Sequence, residues 1–278
     1  MFQTALRVGA TPTTGAMKLT YELLCMDCSH YLGISPSERP KIDCAFLDPP
    51  DNIGLSYNTY RDDQVGDTYY DSIKKVLGSL YGWGYVHTVW LSFNSRHTLA
   101  YANIVQRVMG GYDLTPMVQT FTFGQHNHHD FCNGHRPLWR FTRKDAPFYS
   151  DQVRVQSWRQ ANGDKRADPR GRVPNDVFDF TRVTGNSKQR RRWHPTQLNE
   201  GLVERCLLSC TKVGDTVLDL YSGTGTTLRV CKRVGRSCIS VEIDETYCKK
   251  IAKENGLKKT GKGCWQAEKT IKVTKTCS

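Results

Sequence analysis

Residues 217–227 read VLDLYSGTGTT, and this stretch decides the fold. A short apolar run leads into a turn with two glycines, and a helical pattern begins at Thr226. Glycines in such a turn let the backbone approach a ligand without a Cβ in the way, and the helix N-terminus that follows presents free N–H groups. The stretch therefore predicts a strand, a ligand-binding turn and a helix of a parallel α/β sheet.

A second acid, Glu242, ends the next predicted strand, where a carboxylate can accept from the hydroxyls of a ribose. A dinucleotide site would require a third glycine where Leu228 stands, and a phosphate loop would require Gly-Lys-Ser/Thr. Asp219 lies four residues before the first glycine, where it can face a cationic amino group such as that of S-adenosylmethionine. The turn predicts a nucleoside-containing cofactor; a structural turn without a ligand is the alternative.

Strands and helices alternate along most of the chain, which is typical of a mainly parallel, buried sheet. Apolar runs predict strands at 21–25, 42–47, 86–93, 217–220 and 237–241. Helical spacing of apolar residues predicts helices at 68–80, 98–109, 200–208, 226–234 and 245–254. Two further strands, 115–123 and 137–143, are expected to be antiparallel at an edge of the sheet.

Three segments lie outside this rhythm. Residues 1–19 are an N-terminal extension to a domain over 20–255, and residues 256–278 are a basic tail that we expect to be solvated and partly disordered. Within the domain, residues 145–192 are rich in Arg, Asp, Gly, Pro and Asn. This composition predicts a loop-rich insertion without a core of its own.

The charge of the chain points to a polyanionic partner. Its 278 residues include 39 lysines and arginines against 27 aspartates and glutamates, a formal net charge of +12. Such a positive field concentrates nucleic acid. The mean hydropathy is −0.55, and neither a membrane span nor a signal peptide is evident, so we expect a cytoplasmic protein.

The cysteines and histidines do not predict a metal site. The eleven cysteines are an odd number, and without an export signal most are expected to be reduced thiols. Cys25 and Cys28 form a single CxxC with no second pair to complete a zinc ribbon. A denser cluster matches no standard zinc spacing, so polar loop or DNA contacts are the better interpretation; it comprises His126, His128, His129, Cys132 and His135.

A second motif, CAFLDPPD at 44–51, also follows a predicted buried strand. Because ligands bind beyond the carboxyl ends of parallel strands, Asp48 is expected in the same crevice as the glycine turn. Two prolines hold the backbone extended and remove two N–H donors, so carbonyl acceptors dominate. A carboxylate beside a stiff carbonyl can bind both hydrogens of a base amine and aim its lone pair at an electrophilic methyl. The alternative is that Asp48 caps a loop that the prolines stiffen.

The motifs together resemble the amino-methyltransferases of DNA. Asp48-Pro49-Pro50 is followed by HPTQ at 194–197 and DLYSGTGT at 219–226, the order of the permuted beta group and of its small, stand-alone bacteriophage enzymes. The resemblance covers roughly residues 20–255. It implies a Rossmann-like, S-adenosylmethionine-dependent methyltransferase fold with a seven-stranded, mostly parallel sheet in circularly permuted order.

Site roles carried over from the resemblance fall into two sets. Residues implied to bind the cofactor are Asp27, Asp48, Pro195, Thr196, Asp219, Ser222, Gly223, Gly225, Thr226, Glu242 and Ile243. The implied catalytic segment is Asp48, Pro49, Pro50 and Asp51, and residues 131–143 look like the later strand that packs beside the target base. No metal is implied.

One position departs from the family pattern. An aromatic residue usually follows the two prolines and stacks on the flipped base, but here the residue is Asp51. An acid cannot stack although it can accept a hydrogen bond, and Tyr57 or Tyr60 can take over the stacking. Asp at the first motif position is typical of adenine enzymes, whereas Ser is typical of cytosine-N4 enzymes. The resemblance thus implies site-specific methylation of adenine N6; cytosine-N4 transfer, an RNA substrate and an inactive nucleic-acid-binding relative are the alternatives.

Double-stranded DNA is the expected partner, bound by a monomer or a homodimer. The target base must be flipped out of the duplex, and phosphate contacts offset that cost. A basic run just before the HPTQ segment supplies candidates for those contacts: Lys188, Arg190, Arg191 and Arg192. Sequence recognition is expected from arginines of the insertion, namely Arg154, Arg159, Arg166, Arg170 and Arg172.

Overall fold

The computed structural model describes residues 14–83, 86–121 and 128–274. These residues form a mixed β-sheet with helices on both of its faces. Its strands are β1 (Thr14–Cys25), β2 (Cys44–Leu47), β3 (Thr88–Ser92), β4 (Asp113–Thr120), β5 (His135–Thr142), β6 (Val177–Asp179), β7 (Thr216–Asp219), β8 (Ser237–Glu242), β9 (Lys258–Gly261) and β10 (Cys264–Thr274). Its helices are α1 (Cys28–Leu32), α2 (Gly66–Gly82), α3 (Thr98–Val108), α4 (Trp158–Ala161), α5 (Glu200–Cys210), α6 (Thr226–Val234) and α7 (Glu245–Asn255).

The strand order is β6-β4-β5-β3-β2-β7-β8-β1-β10-β9. The five central strands, β3-β2-β7-β8-β1, are parallel to one another, and β5 and β10 flank them in the antiparallel direction. The predicted α/β class is therefore confirmed. Direct pairing of β2 with β7 places the DPP motif and the glycine turn at the ends of adjacent strands.

Alternating side chains of the buried strands supply two cores, one on each face of the sheet. Ala45 and Leu47 of β2 pack with α1, α2 and α3, whereas Cys44 and Phe46 pack with α5, α6 and α7. Helix α2 buries one stripe at helical spacing, which includes Ile73, Val76, Leu77 and Leu80. These cores fix the carboxyl ends of the central strands relative to one another.

Most elements lie where the sequence predicts them, with boundaries that differ by a few residues. Helix α6 has the predicted bounds, and α7 starts at the predicted residue because the Asp244 side chain accepts from Tyr247 N. The antiparallel pair β4–β5 is also confirmed. The pair does not form the edge of the sheet, however, because β6, a strand from the insertion, pairs with β4 on its outer side. Otherwise the described part of 145–192 consists of loops, a short 3₁₀ turn and the four-residue helix α4.

The sheet of the described chain has ten strands rather than seven, and the expectation of a solvated tail is wrong for residues 258–274. Strand β10 pairs with β1 from Leu24↔Cys264 to Thr14↔Thr274. Its lysines conceal an alternation in which Trp265 is buried and Ala267 and Ile271 pack against the core. Strand β1 likewise begins at Thr14, inside the predicted extension.

None of the described helices combines the length and the apolar character that a membrane crossing requires.

Candidate active site

The carboxyl ends of the central parallel strands open into one cavity of about 1020 Å³. Most predicted site residues line it: Asp27, Asp48, Pro49, Pro50, Asp51, Tyr57, Tyr60, Pro195, Thr196, Asp219, Ser222, Gly223, Thr226, Glu242 and Ile243. Gly225 and the basic run Lys188, Arg190, Arg191 and Arg192 do not line it. The topology thus brings the two motifs into a single crevice.

Both glycines of the turn are required by conformation and by contact. Gly223 has φ +50°, and a Cβ there would lie 3.2 Å from the His194 ring. Gly225 has φ +72°, and a Cβ there would lie 2.8 Å from Ile251 Cγ2. Gly223 therefore keeps the cavity wall thin, whereas Gly225 lets α6 begin against α7.

Two buried carboxylates face the cavity beside this turn. Asp219 accepts from Tyr221 N at 3.0 Å, and Glu242 accepts from Gly223 N at 2.8 Å and Asp244 N at 2.9 Å. Burial raises the pKa of Asp219 to about 7 and that of Glu242 to about 7, and neighbouring acids add to both shifts. Buried carboxylates with raised pKa values suit a ligand that brings positive charge and hydroxyl donors.

Ser222, in the glycine turn, carries a buried hydroxyl oxygen with no hydrogen-bond partner among the described residues. An unsatisfied buried hydroxyl is costly, so it indicates a polar group supplied from outside the chain. Together with the Glu242 carboxylate and the thin wall at Gly223, it fits a cofactor with a ribose and an amino-acid end.

The HPTQ segment lines the cavity beside the glycine turn. His194 Nδ1 donates to the carbonyl of Thr196 at 2.6 Å, and its ring lies edge-on to Tyr57 and Tyr247. Burial lowers the pKa of His194 to about 4, so the ring is neutral at neutral pH. The segment thereby links the glycine turn to the loop that carries Tyr57.

Asp27 has a structural task as well as a place in the cavity wall. It caps α1, where its side chain accepts from Ser29 N at 2.7 Å and from the Ser29 hydroxyl. Only part of its hydrogen-bonding capacity is therefore left for a ligand.

The loop after the DPP motif is held by an acid that sequence reasoning missed. Asp62 is buried and accepts from the backbone N–H groups of Asn52, Ile53 and Leu55, at 2.8, 3.1 and 2.9 Å. The Asn52 side chain, on a residue with φ +50°, bonds the backbone of Gln64 in both directions. The turn residues Asn52 and Gly54 were the available signal.

The carbonyls of the DPP motif divide into two groups. Tyr69 Oη donates to the Pro50 carbonyl at 2.8 Å, and His97 Nε2 donates to the Asp51 carbonyl at 2.6 Å. The Pro49 carbonyl accepts from none of the residues that the structure describes. It is left as an acceptor next to Asp48.

Asp51 lies in an ion pair rather than in a stacking position. Arg136 Nη1 lies 2.9 Å from Asp51 Oδ2, and Arg136 Nη2 lies 2.9 Å from both Asp51 Oδ1 and Asp48 Oδ1. Burial raises the pKa of Asp48, Arg136 lowers it and the charge of Asp51 raises it. Sequence reasoning missed Arg136, which belongs to the 131–143 segment but carries no motif of its own.

The basic run is only partly free. Arg190 donates to the Pro195 carbonyl at 3.1 Å, and Arg191 pairs with Glu254 at 2.6 Å. Lys188 and Arg192 are exposed. In the insertion Arg154, Arg166 and Arg170 each pair with a nearby aspartate.

The histidine-rich stretch gives no metal centre where it is described. No group of three or more His, Cys, Asp or Glu residues able to hold an ion occurs within 14–83, 86–121 and 128–274. His126 lies outside the described residues.

Comparison with known proteins places this fold and site in a class. Residues 42–254 match the model of the N6/N4 DNA methylases, which is described as DNA methylase. The chain belongs to this family, and the resemblance inferred from its motifs is confirmed. It is a DNA methyltransferase, and S-adenosylmethionine is its cofactor.

Two relatives of the chain are named as methyltransferases. The chain is 30% identical over 222 residues to the type II methyltransferase M.HpaI of Haemophilus parainfluenzae, covering 78% of this chain and 68% of the relative. It is 26% identical over 226 residues to the DNA adenine methyltransferase YhdJ of Escherichia coli (strain K12), covering 75% and 74%.

Solved structures share the fold. The complex of M1.HpyAVI with S-adenosylmethionine has a TM-score of 0.59 at 17% identity and covers 83% of this chain and 97% of that chain. The cytosine-N4-specific PvuII DNA methyltransferase has a TM-score of 0.61 at 14% identity and covers 83% and 84%.

Proposed function

We propose that the chain methylates adenine N6 at specific sites in double-stranded DNA, on a base flipped into the cavity. The observation that carries this proposal is that two acceptors line the cofactor crevice side by side in sequence: the Asp48 carboxylate and the Pro49 carbonyl, which accepts from no residue that the structure describes. These two acceptors match the two hydrogens of an exocyclic amine.

The residues of the DPP motif prepare the amine for attack. Asp48 and Pro49 each accept one hydrogen, which favours a tetrahedral nitrogen whose lone pair is no longer delocalised into the ring. S-adenosylmethionine, when bound, supplies an electrophilic methyl group. An N–C bond would form as the S–C bond of the cofactor breaks, and the proton that the amine then loses would pass to the Asp48 carboxylate.

The cofactor is proposed to lie along the ends of β7, β8 and β1. Asp219 faces its amino group, Ser222 supplies the hydroxyl that has no partner among the described residues, and Glu242 accepts from the ribose. Asp27 and Ile243 border the adenine, and Pro195 and Thr196 close the methionine end. Burial of Asp219 and Glu242 favours a ligand that brings a positive charge.

Two observations favour adenine over cytosine. The first motif residue is Asp48, which the family resemblance associates with adenine enzymes. The chain is also similar over three quarters of its length to YhdJ, which is named a DNA adenine methyltransferase.

The DNA is proposed to lie across the mouth of the cavity. Tyr57 and Tyr60 line it with rings 6.0 Å apart, so either can contact the flipped base. Lys188 and Arg192 are exposed for phosphate contacts, and the insertion is the proposed recognition segment. With DNA and S-adenosylmethionine as substrates, the proposed compartment is the cytoplasm of a bacterial or phage-infected cell.

Product identification tests the proposal. The protein is incubated with S-adenosylmethionine and unmethylated double-stranded DNA of mixed sequence, and the digested nucleosides are identified by mass. We expect N6-methyladenine; N4-methylcytosine would change the base, and neither product despite cofactor binding would leave a nucleic-acid-binding relative. A parallel incubation with RNA of mixed sequence identifies the remaining substrate class.

The matched variant for this assay is Asp48→Ala. It removes one of the two amine acceptors but leaves Asp219, Ser222 and Glu242 in place. We expect methyl transfer to be abolished while cofactor binding survives in a calorimetric titration. Normal turnover by Asp48→Ala would refute the proposed mechanism.

A further inference from the structure

We propose that Arg136 is a positioning residue for this reaction: it keeps the Asp48 carboxylate ionised and in one orientation, with Asp51 as its counter-anchor. The inference rests on the proposed transfer to a base amine. It assigns a role in the catalytic site to Asp51, the acid that stands where the family usually has an aromatic residue.

The guanidinium of Arg136 uses four of its five N–H groups inside the protein. Its Nε donates to Ser92 Oγ at 2.8 Å, Nη1 donates to Asp51, and Nη2 donates to both Asp51 and Asp48. The group is planar and rigid, so three fixed contacts determine the direction of the fourth. Arg136 thereby holds Asp48 Oδ1, and Ser92 is a second hydrogen-bond partner of the carboxylate. A carboxylate can accept about four hydrogen bonds, so capacity is left for a substrate.

Burial makes this arrangement matter electrostatically. The side chains of Arg136, Asp48 and Asp51 are 19%, 25% and 11% exposed, so solvent screens them weakly. Asp219 at the end of β7 and Tyr57 on the loop also face Asp48, and Tyr69 of α2 faces Asp51 and Arg136. Arg136 is the cation among these groups.

The protonation state of Asp48 depends on that cation. Burial and the charge of Asp51 raise the pKa of Asp48, and Arg136 and Ser92 lower it. A protonated carboxyl would present an O–H group where the amine needs an acceptor. Arg136 therefore favours the ionised form of Asp48, which is the form that can bind the amine.

The shape of the loop does not depend on the Asp51–Arg136 pair alone. Tyr69 already holds the Pro50 carbonyl, and His97 holds the Asp51 carbonyl. Asp62 holds three backbone N–H groups immediately downstream. The carboxylate of Asp51 is thus available to balance the arginine and to share it with Asp48.

The test compares the pH dependence of kcat/KM on unmethylated double-stranded DNA for the wild type, Arg136→Gln, Arg136→Lys and Asp51→Asn. The rate is followed as formation of the methylated nucleoside that the wild type makes. We expect Arg136→Gln to be about 100-fold slower at neutral pH, the order of loss that misplacing a catalytic group causes. Its acidic limb should move to higher pH, because Asp48 loses its cation. Asp51→Asn should move the acidic limb to lower pH, because Asp48 loses a like-charged neighbour.

Arg136→Lys retains the charge without the fork, so it should keep the wild-type acidic limb with a lower kcat. Arg233→Gln is the matched control, since Arg233 lies on α6 and pairs with Glu200 and Glu204 away from the cavity. We expect it to have the wild-type profile. Cofactor affinity, measured by calorimetry, should be unchanged in all four variants.

Acidic limbs that do not move, or that move in the same direction in Arg136→Gln and Asp51→Asn, would overturn the inference while leaving the proposed function intact. If Arg136→Gln does not fold, Asp51→Asn alone decides, and an unshifted limb overturns the inference. A wild-type protein that binds cofactor but methylates no base refutes the proposed function, and the inference with it.

Discussion

At the scale of one residue, Ser222 is a side chain whose burial costs folding stability and that we propose to serve ligand binding. Its hydroxyl is buried without a partner among the described residues, so the protein without ligand bears a cost of about 1–3 kcal/mol. The Ser222→Ala substitution should therefore leave the free energy of unfolding unchanged or increase it, while weakening S-adenosylmethionine binding. Thermal unfolding with and without cofactor checks both signs.

Ser209→Ala is the control for Ser222→Ala. The Ser209 hydroxyl is also buried, but it donates to the Cys206 carbonyl at 2.7 Å. Its removal should lower stability by about 1 kcal/mol and leave cofactor affinity unchanged. Equal effects of the two substitutions would argue against a ligand at Ser222.

Asp219 and Glu242 make cofactor binding depend on pH. Both have folded pKa values of about 7, above the value of about 4 that such groups have in an unfolded chain. Between these values the unfolded state loses its protons first, so the stability of the cofactor-free protein should fall as pH rises from about 4 to 7. A cationic ligand favours the ionised carboxylates, so its affinity should rise with pH through 7.

Calorimetric titration at neutral pH in buffers of different ionisation enthalpy measures the protons released on binding. We expect net release, and less of it from Asp219→Asn. Proton uptake, or an affinity that falls with rising pH, would contradict the assignment of Asp219 and Glu242 to the cofactor.

At the scale of the elements, β10 is a part of the sheet that the lysine content of its sequence conceals. Trp265 is 6% exposed and packs in the core that Leu19, Leu23 and the helices α5 to α7 share. Trp265→Ala should cost about 3–5 kcal/mol in the free energy of unfolding. The exposed neighbour Glu268, paired with Lys18, should cost less than about 1 kcal/mol when changed to Ala. Denaturant unfolding of both variants distinguishes a structural strand from a solvated tail.

The elements also show what the sequence could and could not predict. The glycine turn and the DPP motif are each a continuous stretch of sequence. Strand, turn and helix signals within about a dozen residues were therefore enough to locate each of them. Arg136 meets Asp51 across 85 residues, and Gln266 of β10 pairs with Glu22 of β1 across 244. Such partners are chosen by the topology of the sheet, and no local pattern specifies them. Asp62 lies only 10 residues from Asn52, yet an acid in a polar loop gives no sign that it will be buried.

At the scale of the whole molecule, only some of the basic side chains are available to contact DNA phosphates. Several arginines of the insertion and of the basic run pair with carboxylates, whereas Lys188 and Arg192 are exposed beside the HPTQ segment. Lys188→Ala and Arg192→Ala should each weaken DNA binding for all sequences alike and reduce the slope of log affinity against log salt by about one. Arg166→Ala, which removes an arginine paired with Asp164, should change the slope less. Equal slopes for all three variants would remove Lys188 and Arg192 from the DNA interface.

Thr14 and Thr274 are register partners in the β1–β10 pair, so the two ends of the described chain lie side by side. A short linker between them would close the backbone into a ring, and a ring has no first strand. Cutting that ring in the loops between residues 145 and 176 would place the glycine turn ahead of Asp48 along the gene, with neither moved in space. The order in which the ribosome delivers the two motifs is therefore independent of the geometry in which they meet.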